Sequence, residues 1–122
     1  KIKMIEGSSI SDTIVKEVYN YASDFKKILV ILDANHTYNH TIQELNLYAH
    51  LVSVGSYCIV CDTVIADMPN SFHKDRDWDK DNNPKKAVRE FRQKNQNFIS
   101  DLDIDKRLLI SSNPEGFLKK IS

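Results

Sequence analysis

Apolar positions change their spacing several times along this chain, and each change predicts an element. Ile14, Val15, Val18, Tyr21, Ala22 and Phe25 recur at helical spacing, which places a helix between an N-cap at Ser9 or Ser11 and about Asp24. Ile28–Leu32 is an unbroken apolar run, the pattern of a parallel strand covered on both faces, and it stops at Asp33. Ile42, Leu45, Tyr48, Ala49 and Val52 line one side of a second helix over roughly Tyr38–Leu51. Val54-Gly55-Ser56 is a turn, and Tyr57–Val60 is a second buried strand that runs into Cys61 and Asp62. Ahead of these, Lys1–Glu6 sets Ile2 and Met4 against Lys1 and Lys3 and reads as a short strand ending at Gly7-Ser8-Ser9. The order βαβαβ calls for a parallel sheet with right-handed crossovers.

Residues 66–83 break this regularity. Aspartates, lysines and an arginine crowd the stretch, and Met68, Phe72 and Trp78 lie in it without a period. A segment of this kind is expected to be a mobile lid. Asn83-Pro84 then supplies an N-cap and a helix-first proline for a helix ending near Asn95, with Ala87, Val88 and Phe91 inward. Phe98–Leu102 and Arg107–Ser111 read as two strands joined tightly through Asp103–Lys106, an antiparallel hairpin. Gly116–Ile121 reads as a last short helical turn. The expected fold is α/β: a Rossmann-like, mostly parallel sheet with a C-terminal antiparallel hairpin, in one domain over residues 1–122.

Composition narrows the function. Seventeen basic residues balance seventeen acidic ones, so there is no field to collect nucleic acid. No apolar run approaches a membrane span of about 20 residues, and the start has no signal-peptide core. Two cysteines make no disulfide framework, so a reducing, cytoplasmic setting is expected. The chain begins on Lys1 and is read as part of a larger protein. The three glycines, at 7, 55 and 116, allow neither GxGxxG nor GxxxxGK[ST].

Asp33 and Asp62 end two successive strands, the place where open α/β sheets put ligand chemistry. Neighbouring strands lie about 4.8 Å apart, so both carboxylates can reach one hard cation; equally, each can serve as a cap or turn former. His36, three residues past Asp33, is a candidate general base. With His40 it also makes an HxxxH pair, which reads as a capping or surface pair or a weak zinc pair. Cys58 and Cys61 form a CxxC inside a strand, where the odd spacing sends them to opposite faces and away from redox pairing. Glu6-Gly7-Ser8 sits at a strand end, where Gly7 lets backbone approach a flat ligand or simply makes a turn.

The strings IEGSSISD and ILVILDANHTYNHTIQELNLYAHLVSVGSYCIVCDTVI, with NNPKKAVREF and NPEGFLKKI, resemble the cephalosporin hydroxylase-type family along nearly the whole chain. That family has S-adenosylmethionine methyltransferase folds and includes rhamnosyl O-methyltransferases. The layout is also similar to catechol-type O-methyltransferases, where an Asp ends one strand and two oxygen ligands end the next. The 28-residue step from position 33 to 61 suits that arrangement.

The resemblance implies S-adenosylmethionine as methyl donor and a divalent cation, magnesium or another, on Asp33, Cys61 and Asp62. It implies His36 as the base and a sugar or small-molecule hydroxyl as acceptor. Cys61 departs from the family's Glu, and a thiol is a poor magnesium ligand, so binding is expected to be weak. The glycine-rich donor-binding part is expected upstream of Lys1, leaving Glu6, Gly7 and Ser8 as the adenine side of its pocket. Ile28–Leu32 is expected to be a sheet edge, covered by Ile2–Glu6, by a second copy, or by the upstream part. Two rival readings stay open: a non-catalytic α/β module with a degenerate metal site, and a metal-dependent hydrolase.

Overall fold

Local chemistry starts each helix of the computed structural model, which describes residues 2–122. Helix α1 (Asp12–Ala22) follows Ser11, whose extended backbone makes it the N-cap. Thr37 caps α2 (Tyr38–Tyr48) by accepting from the His40 amide. Asn83 caps α3 (Pro84–Lys94) by accepting from the Lys86 amide, with proline at the first position, where its missing N–H costs nothing.

Strands β1 (Val30–Leu32), β2 (Tyr57–Val60), β3 (Phe98–Ser100) and β4 (Phe117–Lys120) form one mixed sheet in the order β1-β2-β4-β3. β1 and β2 are parallel, with Leu32 beside Val60. β4 runs antiparallel to both β2 and β3, so β1, β2 and β3 share one direction. Their carboxyl ends therefore open at one end of the sheet. Leu32, Cys58, Val60, Phe98 and Leu118 bury one sheet face against Leu45, Tyr48, Val88 and Phe91 of α2 and α3.

The α/β mixed architecture is as expected, but several strand assignments change. Ile2–Glu6 forms no strand; Ile2 and Met4 are each 88% exposed and no ladder receives them. The Ile28–Leu32 run narrows to β1, and Ile31 on its outer face is 58% exposed. A continuous apolar run fits burial on both faces, yet among the described residues only one face is covered. The expected hairpin keeps its first strand, as β3, and loses its second: β3 pairs antiparallel with β4, not with Arg107–Ser111. Leu102–Leu108 is helix α4, with Asp103 and Asp105 in its first turn and Lys106 and Arg107 in its last, a charge order that suits the helix dipole. The final strand is β4, where a helical turn is expected from the sequence.

Gly116 explains β4. A Cβ there would stand 2.3 Å from the Val60 carbonyl oxygen, and the Val60 amide donates to the Gly116 carbonyl at 2.9 Å. Only glycine lets the chain come this close to β2. Leu118 then fills the core, while Lys119 and Lys120 place their ammonium groups over the rings of Tyr57 and Phe98, each 5.9 Å from the ring centre.

Candidate functional site

Asp33 directly follows β1, and Cys61 and Asp62 directly follow β2, so parallel pairing alone brings them to one end of the sheet. The Cys61 amide donates to the Leu32 carbonyl at 2.9 Å, which extends the ladder to the edge of the site. Asp62 takes a left-handed backbone conformation, φ 56°. Its amide is held by the Asn113 side chain, whose Oδ1 accepts at 2.9 Å. Thr63 is fixed beside it by donating to the Pro114 carbonyl at 2.7 Å. The turn ahead of β4 thus aims Asp62.

His36 lies just before α2 rather than on it. Asn35 fixes this stretch by accepting from the Thr37 amide at 2.9 Å and the Thr37 hydroxyl at 2.7 Å. The result brings one ligand-type atom each from Asp33, His36 and Asp62 within 4.8 Å of one another. His36 Nδ1 stands 3.2 Å from Asp62 Oδ2. Asp33 is exposed and the other two half-buried. Trp78, from the 66–83 segment, meets the His36 ring edge-on at 6.2 Å. A 240 Å³ cleft lies between Asn35, His36, Thr37, Asp75, Arg76 and Trp78.

Cys61 stays beside this group as a thiol. Burial pushes its pKa up, and the charges of Asp33 and Asp62 push the same way, against a bond to Asn113. Cys58 is buried, with its pKa pushed up to about 12 by burial. Both cysteines are free, so the CxxC makes no disulfide.

The HxxxH pair is not brought together. His40 turns toward Ser9 Oγ, 3.1 Å away, and the buried Glu44, 3.6 Å away. Glu6, Gly7 and Ser8 are exposed ahead of α1. Gly7 has φ 143° and lines a separate groove of 520 Å³ along the outer side of β1, with Ser9, Glu44 and Tyr48. The Tyr48 hydroxyl donates to the Ser9 carbonyl and pins this loop to α2.

Residues 66–83 are stitched rather than periodic. The Asp79 carboxylate accepts from the amides of Asp81 and Asn82, which holds its pKa below the usual range. Asn82 Oδ1 accepts from the Tyr38 amide at 2.8 Å and ties the segment to the start of α2.

Sequence reasoning did not find Asn113 or Lys85. Lys85 is buried and pairs with Asp67 and, at 3.8 Å, with Glu115, which Arg89 holds from the other side. The signal for both was the Asn113-Pro114-Glu115-Gly116 turn, a string whose polar side chains have no partner visible in the sequence alone.

The donor set can be tested against the two groups the resemblance implies. Two convergent carboxylates suit a hard divalent cation; a protonated thiol at position 61 does not, so the residues fit a cation held weakly by Asp33 and Asp62. Gly7, in a conformation reserved for glycine, packs its Cα against the Ile14 side chain and is exposed at the rim of a groove, a rim that fits one side of a nucleoside pocket.

Comparison with known proteins gives a family match, Rhamnosyl O-methyltransferase/CmcI, over residues 1–121. Proteins named rhamnosyl O-methyltransferase from Mycobacterium bovis (strain BCG / Pasteur 1173P2) and Mycobacterium tuberculosis (strain ATCC 25618 / H37Rv) are each 32% identical over 69 residues. That is 56% of this chain and 28% of theirs. The match thus spans little more than a quarter of the length of these curated relatives. No solved structure matches the chain.

Proposed function

Because the chain belongs to the Rhamnosyl O-methyltransferase/CmcI family, we propose that it supplies the acceptor side of an O-methyltransferase acting on a hydroxyl of a sugar or small molecule. One observation carries the reading: Asp33, His36 and Asp62 converge within 4.8 Å at the carboxyl ends of β1 and β2.

S-adenosylmethionine supplies a methyl group already activated on a sulfonium, so the protein's work is orientation and proton removal. Glu6, Gly7 and Ser8 form the adenine side of the donor pocket. Asp33 and Asp62, beside Cys61, would hold a divalent cation, which when bound would supply Lewis-acid polarisation of the acceptor hydroxyl. Asp62 also sets the tautomer of His36. A carboxylate accepts only, so in the neutral ring a hydrogen on Nδ1 faces Asp62 Oδ2, 3.2 Å away, and the lone pair is left on Nε2. Nε2 is placed to take the proton from the acceptor hydroxyl. Trp78 and residues 66–83 close over the acceptor as a lid, which favours a flat or ring-shaped substrate against the indole. The unpaired Cys58 and Cys61 suit a reducing compartment such as the cytoplasm.

In the complete enzyme, His36→Ala is expected to slow methyl transfer by about 10²–10⁴-fold with donor affinity kept. An unchanged turnover number would remove His36 from the chemistry. Cys61 favours a second reading, a non-catalytic module with a degenerate cation site; a complete enzyme that transfers no methyl group to any sugar hydroxyl would select it.

A further inference from the structure

The imidazole of His36 is close enough to both carboxylates to do more than move a proton. A zinc-class cation held by nitrogen and oxygen at about 2.0–2.2 Å sets its ligands roughly 3.4 Å apart. His36 Nδ1 and Asp62 Oδ2 are already at 3.2 Å, and Asp33 completes a set whose atoms lie within 4.8 Å of one another. Asp33 is exposed and the other two half-buried, so small side-chain rotations close the remainder. Imidazole suits zinc, cobalt and nickel, whereas magnesium favours oxygen donors and keeps its waters. Cys61, beside Asp62, brings a thiol and no hard oxygen, so the nitrogen is the third donor at hand.

We propose that Asp33, His36 and Asp62 together bind a divalent transition cation of the zinc class, and that this cation inhibits the enzyme by taking the imidazole. Ligation through Nδ1 moves the ring hydrogen to Nε2 without net gain or loss of a proton. Nε2 is then a donor and no longer a base. A hard cation resting on the two carboxylates leaves His36 free; a transition cation recruits it. The inhibition rests on the proposed role of His36, while the binding stands on the geometry alone.

Trp78 is the chain's one tryptophan and lies 6.2 Å from the His36 ring, so it reports on this site. Titrating the 122-residue chain with Co²⁺, whose unpaired electrons quench nearby indole emission, should give saturable quenching that Zn²⁺ reverses and excess Mg²⁺ does not. His36→Ala should weaken binding by at least the about 10–100-fold typical of losing even a ligand's supporting partner. Asp33→Asn, at an exposed position, should weaken it too and covers the case in which His36→Ala fails to fold. His73 also touches Trp78, at 5.9 Å, so His73→Phe must leave the quenching in place. Equal affinity in wild type, His36→Ala and Asp33→Asn, or displacement by equimolar Mg²⁺, would overturn the site. Zinc that binds through His36 yet leaves methyl transfer by the complete enzyme unslowed would overturn the inhibition. Loss of methyl transfer in the zinc-free enzyme would strike the proposed function instead and leave the binding result standing.

Discussion

At the scale of residues, Cys61 and Asn113 decide what the site can hold. The thiol is kept protonated by burial and by the carboxylates of Asp33 and Asp62. Replacing it with a carboxylate adds a third oxygen donor at the end of β2. We expect Cys61→Glu to bind Mg²⁺ more tightly than wild type by calorimetry; no gain would mean that position 61 does not face the cation. Asp33, His36 and Asp62 were legible in the sequence because strand ends are legible, and parallel pairing does the rest. Asn113 was not, because its contact with the Asp62 amide joins positions 51 residues apart. The HxxxH spacing pairs two rings only on one helix, and α2 begins after His36, so the weak zinc-pair reading falls away.

Among the elements, the tie between α3 and the turn before β4 carries a pH dependence. Arg89 donates two hydrogen bonds to Glu115 and, with the buried Lys85, holds its pKa below the ordinary glutamate range. A depressed folded pKa adds stability above the unfolded value of about 4.3, and that stability is lost as pH falls through the folded value. Arg89 is 58% exposed, which limits the effect to about 1 kcal/mol. Urea unfolding of Glu115→Gln should therefore show a deficit at pH 7 that vanishes by about pH 3; a deficit that persists in acid would assign it to packing instead. α1, α2, α3, β1 and β2 follow the periodicity of the sequence because each buries one regular face. α4 and β4 do not. Leu102–Leu108 takes in Asp103–Lys106, whose charges read as a tight link between two strands and are instead the two charged ends of a short helix. β4 hides behind Lys119 and Lys120, whose charges read as a solvated end although their ammonium groups stand over aromatic rings.

For the whole molecule, the outer side of β1 is the exposed feature. Leu29 and Ile31 are 50% and 58% exposed there, beside Phe25 at 50%. No strand among the described residues pairs on that side. An apolar edge of this kind recruits another chain, and a charge on it blocks pairing. Ile31→Lys should lower self-association of the isolated chain in sedimentation without lowering its melting temperature; unchanged association would place the contact elsewhere. The sequence left three covers open for this edge, because which one arrives is not written in the strand itself; among the described residues Ile2–Glu6 does not pair there. The sheet order carries a different consequence, for assembly in time. β4 is the last strand in sequence but lies inside the sheet, between β2 and β3. β3 has no ladder to join until β4 has been synthesised and inserted. A nascent chain that stops before Phe117 would hold β1 and β2 together and leave Phe98 without a ladder and without Leu118 beside it. Folding of this half is therefore bound to finish late, in one step that closes the sheet from its middle.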